Sequence, residues 1–434
     1  MHPNMVQFIT DGISVSDAKK RYLKRRKWIM DQCNGPIVLS APMLGPNQRY
    51  PWAHCDAPVY QDSYILFLTG INQYPLHIVL DPISNEQHIF LPEFDANRAF
   101  WDGQSLSANH DASTSFLVSA GFSHIHSIKS FSHFIGQRIT ENPNWHLLIH
   151  EKGRKRVKDD AYKLFNSISR RSTKSPKITN ISALSWDQRL SHDQFSITAF
   201  KSGIAKTATA YKHTISMLDS FKHEFEIAGH LKGELLKQTP FGLSFPPIIA
   251  KNQNAAILHY IDCCDSLQKN DLILFDFGLR WQSMCTDISR TISLSGTYTP
   301  FQKRLVEIVS AVQCHVITLV KPGVTFDELN DACWEEMERL LDRDFIAKGG
   351  TMKRDYNKQP HNVGHLLGIQ THDGDPYRNY RSHSLPHDAI ITIEPGLYGQ
   401  FELNGETIHC GIRIEDNILI TKHGNENLSE SIPK

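Results

Sequence analysis

LILFDFGLRWQSMCTDISRTISL, residues 272–294, reads as two strands joined by a short turn, with Asp276 and Asp287 on one face. The apolar run Leu272–Phe277 follows the turn-like Gln268-Lys269-Asn270-Asp271, and Met284–Leu294 returns rich in β-branched residues. A turn centred between Trp281 and Gln282 sets Asp276 directly opposite Asp287. Cross-strand neighbours hold their Cβ atoms ~4.5–5.5 Å apart, so two ionised carboxylates there repel unless one keeps its proton or a metal ion lies between them. The hairpin alone leaves both solutions open.

The rest of the chain bounds the choice. Its 434 residues suggest two or three domains, and 40% hydrophobic with 21% charged residues is ordinary for a soluble globular enzyme. Lys plus Arg equals Asp plus Glu at 46 each, so no global field attracts nucleic acid or an anionic membrane, and neither is expected as a partner. No apolar run approaches the ~20 residues of a membrane span, and MHPNMVQFITDG lacks the form of a signal peptide, so a cytoplasmic location is expected. Eight cysteines without a paired metal spacing read as reduced, mostly buried thiols. His124, His126 and His133 read as surface or hydrogen-bonded histidines, and the run Lys152, Arg154, Lys155, Arg156, Lys158 as a solvated helix face.

Ahead of about residue 190, a basic helical stretch (Ser16–Cys33) precedes strand-like segments at Gly35–Ser40, Tyr64–Thr69, His77–Leu80 and His88–Leu91, with Asp81-Pro82 as a turn. Strands alternating with helices indicate an α/β layer. Ser185–Asp193 leads into a second domain with helices over Ile197–Phe221, Glu224–Leu236, Pro300–Val320 and one starting at Thr325, where Thr325 and Glu328 form a capping box. The reading divides the chain into residues 1–185 and 190–434.

Four further stretches join the hairpin: ILHY at 257–260, HNVGHLLGIQTHD at 361–373, IEPGLY at 393–398 and GIRIED at 411–416. Each sets an ionisable residue in apolar, strand-like or glycine-flanked surroundings, where a carboxylate costs several kcal/mol unless it is paired or metal-bound. Arg413 and Arg290 can neutralise two of the acids. The remaining oxygen-rich set, with one or two imidazoles, suits a pair of divalent ions.

With LFDFG at 274–278 and TDISRT at 286–291, these motifs resemble the pita-bread metallopeptidases, and within them the Xaa-Pro aminopeptidase (aminopeptidase P) and prolidase branch. PVYQDSYILFLTG at 58–70 is similar to the N-terminal domain of bacterial aminopeptidase P. The resemblance implies an α/β (α+β) fold, with an N-terminal aminopeptidase P-like domain followed by a pita-bread (creatinase/aminopeptidase) catalytic domain. It implies five metal ligands, Asp276, Asp287, His365, Glu394 and Glu415, with Asp287 and Glu415 shared between two ions. Mn²⁺ is the first candidate; Co²⁺, Zn²⁺, Fe²⁺ and Mg²⁺ stay open. A metal-bridging hydroxide would attack the scissile carbonyl while Glu394 shuttles the proton. His259, His361 and His372 would contact and orient the peptide, Tyr398 would form a wall, and Arg413 would support Glu415. The implied activity is release of the N-terminal residue from peptides with proline in second position, by a homo-oligomer (dimer or tetramer). A dipeptide-restricted prolidase is the alternative, and a non-catalytic peptide-binding module the remote one.

Overall fold

A computed structural model describes residues 8–40, 61–139, 141–148, 163, 170, 176–373 and 379–434. The basic run at 152–158 and residues 58–60 of the N-terminal motif lie outside them. The chain forms two compact units, Met1–Gln188 and Arg189–Lys434.

The first unit opens with α1 (Val15–Asp31), capped by Ser14, whose side chain accepts from the Asp17 N–H. Two of its basic residues turn inward. Arg21 pairs with Asp11, and Arg26, wholly buried, donates to Gln87 Oε1 at 2.6 Å and to the Leu68 and Ala120 carbonyls. Strands β1 (Ile37–Ser40), β2 (His77–Asp81), β3 (Glu86–Leu91), β4 (His124–Ser127), β5 (Asn144–Leu147) and β6 (Lys177–Asn180) form one sheet in the order β4-β3-β2-β1-β5-β6. The β1–β2 and β2–β3 pairs are antiparallel, while β3–β4, β1–β5 and β5–β6 are parallel.

Tyr64–Thr69, expected as a strand, belongs to the helix α2 (Ser63–Thr69). Asp62 caps it by accepting from the Tyr64 and Ile65 N–H groups, and Gly70 ends it in the left-handed region at φ 67°. Every residue of α2 is buried, and the short apolar run Tyr64–Leu68 within it carries no periodicity that separates a strand from a buried helix. Helices α3 (Ala96–Asp102), α4 (Asp111–Ser119), α5 (Phe131–Arg138) and α6 (Ser182–Arg189) complete this part of the chain, with Phe131 and Ile135 of α5 packed on Val38, Val79, Phe90 and Trp145.

The second unit begins with the long helix α7 (Gln194–Ile215) and α8 (Glu224–Gln238), which pack their apolar faces on β7 (Ile248–Lys251) and β8 (Leu272–Phe277). A two-residue turn between β9 (Arg280–Trp281) and β10 (Met284–Cys285) returns the chain into β11 (Ile288–Ser293). The register differs from the expected one. Trp281 pairs with Met284 around Gln282 and Ser283, with Gln282 at φ 56°, so the turn centre lies one residue later. Moving the centre by one residue shifts every pairing by two: Asp276 faces Ser289, and Asp287 is its diagonal neighbour on the same face. A Cβ on Gly278 would stand 1.8 Å from the Thr286 carbonyl oxygen, so glycine is required where the two strands close just before Asp287.

Helices α9 (Pro300–Leu319) and α10 (Phe326–Asp344) start at capping boxes, Thr299/Gln302 and the expected Thr325/Glu328. They cover two further three-stranded sheets. One joins β12 (Thr351–Arg354), β14 (Gly396–Leu403) and β15 (Glu406–Arg413); the other joins β13 (Ile390–Ile393), β16 (Asp416–Thr421) and β17 (Gly424–Asn427). Gln313 of α9 is wholly buried, and its amide donates to the carbonyls of Ile393 and Ile414 at 3.1 and 3.0 Å, tying together the residues just before Glu394 and Glu415.

Candidate metal centre

The five candidate ligands come from strand ends that this packing brings together. Asp276 lies within β8, Asp287 precedes β11, Glu394 follows β13, and Glu415 stands between β15 and β16. His365 sits in a loop fixed by backbone bonds from Thr392 N–H to its carbonyl (2.9 Å) and from Glu394 N–H to the Val363 carbonyl (2.7 Å). Gly364 permits that approach, because a Cβ there would meet the Thr392 carbonyl oxygen at 1.9 Å.

Ligand-type atoms of His365, Glu394 and Glu415 lie within 4.8 Å of one another, as do those of Asp276, Asp287 and Glu415, so two groups share Glu415. A third group of the same reach joins Asp287, His365 and His372. His365 Nδ1 lies 3.0 Å from the Leu366 carbonyl oxygen, which makes it the N–H donor and leaves the Nε2 lone pair facing Asp287 Oδ2 and Glu394 Oε1, each at 3.5 Å. A lone pair aimed at two carboxylates is placed to bind a cation lying between them.

The electrostatics agree. Burial pushes Asp276 above the ordinary carboxylate range, against the pull of Arg413. Burial also pushes Asp287 and Glu415 well above it, reinforced at Asp287 by Asp276 and Glu394 and at Glu415 by Asp287, Glu394 and Asp276. Asp276 Oδ1 and Glu415 Oε1 are buried with no hydrogen-bond partner. Orphaned acid oxygens in a crowded carboxylate cluster fit divalent-ion binding, and the hard donor set fits ions of the Mn²⁺ kind.

Around the acids runs a supporting network. Arg413 donates to Asp276 Oδ2 at 2.5 Å, to Ser289 Oγ at 2.9 Å and to the Tyr398 hydroxyl oxygen at 3.1 Å, while Ser289 Oγ donates to Glu415 Oε2 at 2.9 Å. Arg413 thus reaches Glu415 through Ser289 and touches Asp276 directly. His361 Nδ1 lies 2.8 Å from the Asn362 carbonyl and therefore carries the proton, so its Nε2 accepts from the Tyr398 hydroxyl at 2.9 Å. Arg290 is committed elsewhere, in a wholly buried pair with Asp416 at 2.8 Å.

These groups open on a cavity of about 800 Å³ lined by His259, His361 and His372 as well as the five candidate ligands and Arg413. Phe245, Pro246, Ile248, Leu258, Ile261 and Tyr380 supply its apolar wall. Tyr398, expected as wall, is 1% exposed and lies outside the lining, behind His361 and Arg413. On β14 it pairs with Gly411 of β15.

Sequence reasoning missed Ser289, Thr392 and Glu224. Ser289 is detectable only as the true partner of Asp276, which the expected register concealed. Thr392 Oγ1 accepts from the His365 N–H at 3.0 Å. Glu224, the first residue of α8, is wholly buried and accepts from Lys251 N (2.7 Å), Asn254 Nδ2 (3.0 Å), Tyr260 Oη (2.8 Å) and Asp265 N (3.0 Å). It clasps the loop that carries His259. Glu224→Gln turns one acceptor into a donor facing a donor, at a cost of about 1–3 kcal/mol. The variant is expected to melt earlier and to raise KM with bound metal unchanged; unchanged melting and KM would remove Glu224 from this role.

Comparison with known proteins places these features. The model of metallopeptidase family M24 matches residues 199–422, and that of the aminopeptidase P N-terminal domain matches residues 22–148. A Xaa-Pro aminopeptidase of Haemophilus influenzae is 27% identical over 398 residues, covering 88% of this chain and 87% of its own. An Arabidopsis thaliana relative, intermediate cleaving peptidase 55, mitochondrial, is 24% identical over 442 residues, covering 100% of this chain and 84% of its own. In three dimensions, a variant of Escherichia coli aminopeptidase P superposes with a TM-score of 0.80 at 23% identity, over 97% of this chain and 96% of the other.

Proposed function

The chain belongs to metallopeptidase family M24, and from that premise we propose that it is an aminopeptidase that removes the N-terminal residue from peptides with proline in second position. The two ligand groups sharing Glu415 carry the reading. In it, residues 1–185 form the N-terminal domain and residues 190–434 the catalytic one. His365 and Glu394 would hold one divalent ion and Asp276 the other, with Asp287 and Glu415 available to both. Bound there, two ions of the Mn²⁺ kind would lower the pKa of a shared water and polarise the scissile carbonyl.

The chain's own residues do the rest. Glu394, at the cavity edge of its group, takes the proton and returns it to the departing nitrogen. His259 and His372 orient the peptide from the cavity wall. Arg413, buried, is lowered by desolvation but raised further by Tyr398, Asp276 and Glu394, so it stays charged and keeps Asp276 and Ser289 in place. Its hydrogen bond through Tyr398 steers His361 Nε2. The scissile Xaa-Pro amide has no N–H, and the apolar wall accepts a proline ring without needing a backbone acceptor for it.

Product analysis tests the substrate. With Mn²⁺, Xaa-Pro-Xaa tripeptides are expected to lose their first residue; hydrolysis confined to Xaa-Pro dipeptides would make the protein a prolidase, and no hydrolysis at all would sink the reading. A homo-oligomer resident in the cytoplasm belongs to the same proposal, checked by light scattering and cell fractionation. Among the described residues, no helix is long and apolar enough to cross a membrane.

A further inference from the structure

The pairing of β3 with β4 is parallel and sets His88 beside His124 and Phe90 beside His126. Because side chains alternate along a strand, Glu86 and His88 project on one face of β3, with His124 and His126 beside them on the edge strand. Glu86 Oε1 lies 3.2 Å from His124 Nε2, and Glu86 Oε2 lies 3.3 Å from His88 Nε2. Glu86 meets the two imidazoles through different oxygens, and ligand-type atoms of Glu86, His88 and His124, one from each, lie within 4.8 Å of one another. Ligand atoms at ~2.0–2.1 Å from a tetrahedral zinc stand ~3.3 Å apart, so the cluster closes onto an ion by side-chain adjustments of about an ångström.

We propose that Glu86, His88 and His124 form a second divalent-metal site, in the N-terminal unit and independent of the M24 centre, that takes Zn²⁺. Two imidazoles and a carboxylate are a zinc donor set, and the fourth position is open to solvent, since His124 and Glu86 are 44% and 36% exposed at their side chains. His88 is the buried anchor, 1% exposed. Its Nδ1 lies 3.1 Å from His126 Nε2, and with Nδ1–H donating there the Nε2 lone pair is presented to the ion. Burial first, then His124, Arg138 and His126, brings His88 down to about 4, which keeps the imidazole neutral and ligand-competent at pH 7. The competing groups are Arg138, whose Nη1 stands 3.4 Å from His88 Nε2 while its guanidinium stacks on Phe134, and Ser84, whose hydroxyl donates to Glu86 Oε2 at 3.2 Å.

The test counts zinc in the full chain. Chelator-stripped protein is loaded with Zn²⁺, desalted and analysed for metal per chain, beside His124→Ala and Glu86→Gln, with circular dichroism as a check on folding. The wild type is expected to carry one zinc more than either variant, and Arg138→Gln to retain that zinc at a lower free Zn²⁺ concentration. Equal zinc in the wild type and both variants would overturn the site. Loss in His124→Ala with Glu86→Gln unchanged would overturn it as well, because the carboxylate would then have no part. Should His124→Ala fail to fold, Glu86→Gln, isosteric and partly exposed, decides alone.

Discussion

Asp287→Ala is expected to lower kcat/KM by about 10³-fold or more and to reduce the divalent metal bound at the M24 centre. Asp287 is within reach of both Asp276 and Glu415 in one group and of His365 and His372 in another, so its loss removes an anion from each. Metal-assisted charge stabilisation supplies several kcal/mol of a barrier, and each 1.4 kcal/mol is tenfold in rate. Backbone disruption is not the cause to fear, because Asp287 is held by Asn417 through its own N–H and carbonyl, which alanine keeps. Elemental analysis and initial rates on Xaa-Pro-Xaa peptides check both halves. An active variant with undiminished metal would refute the role given to Asp287.

Removing the metal should invert the ranking of a second variant, Asp287→Asn. In EDTA the folded wild type confines Asp276, Asp287 and Glu415 with their pKa values raised, by burial first and by one another. A raised folded pKa means that the folded chain binds more protons than the unfolded one. Its stability is therefore full below the ordinary carboxylate range, about pH 4, and is lost as pH rises from there through the raised values. Asp287→Asn removes one of the repelling charges, so in EDTA at pH 8 it should melt ~3 °C or more above wild type, with a smaller gap at pH 5. In Mn²⁺ the order should reverse, because wild type binds the ion more tightly and is stabilised by mass action. Melting curves at the two pH values settle it: Asp287→Asn below wild type in EDTA at pH 8 would mean the carboxylate cluster is not frustrated without metal.

Much of the site is legible in short strings because its geometry is local. Asp276 and Asp287 share a face through strand periodicity, which a pairing shift of two residues preserves. His365, Glu394 and Glu415 each sit beside a glycine, a proline or a strand end that sets its backbone. Thr325 and Glu328 announce a helix start, which the capping box of α10 repeats. Where the local signal is weak, the reading slips. Tyr64–Leu68 carries no polar/apolar alternation, so only its place within the unit distinguishes helix from strand, and the Asp62 and Gly70 caps are intelligible once that is known. The hairpin register turned on Gln282 adopting positive φ, which its residue type does not advertise.

The amino-acid order alone determined which residue types could serve as ligands, the helices that frame them and the resemblance that groups them, since these depend on spacing within a dozen residues. Tertiary structure decided which of them lie within reach of one another, that Tyr398 stands behind Arg413 instead of in the wall, that Arg290 goes to Asp416 and Arg413 to Asp276, and that Glu224 clasps the His259 loop from 35 residues away. It also drew Glu86 and His88 against His124 across a parallel pairing. The physical reason is common to all of these: desolvation and charge pairing act through distances of a few ångströms in space, and separation along the chain carries no measure of them.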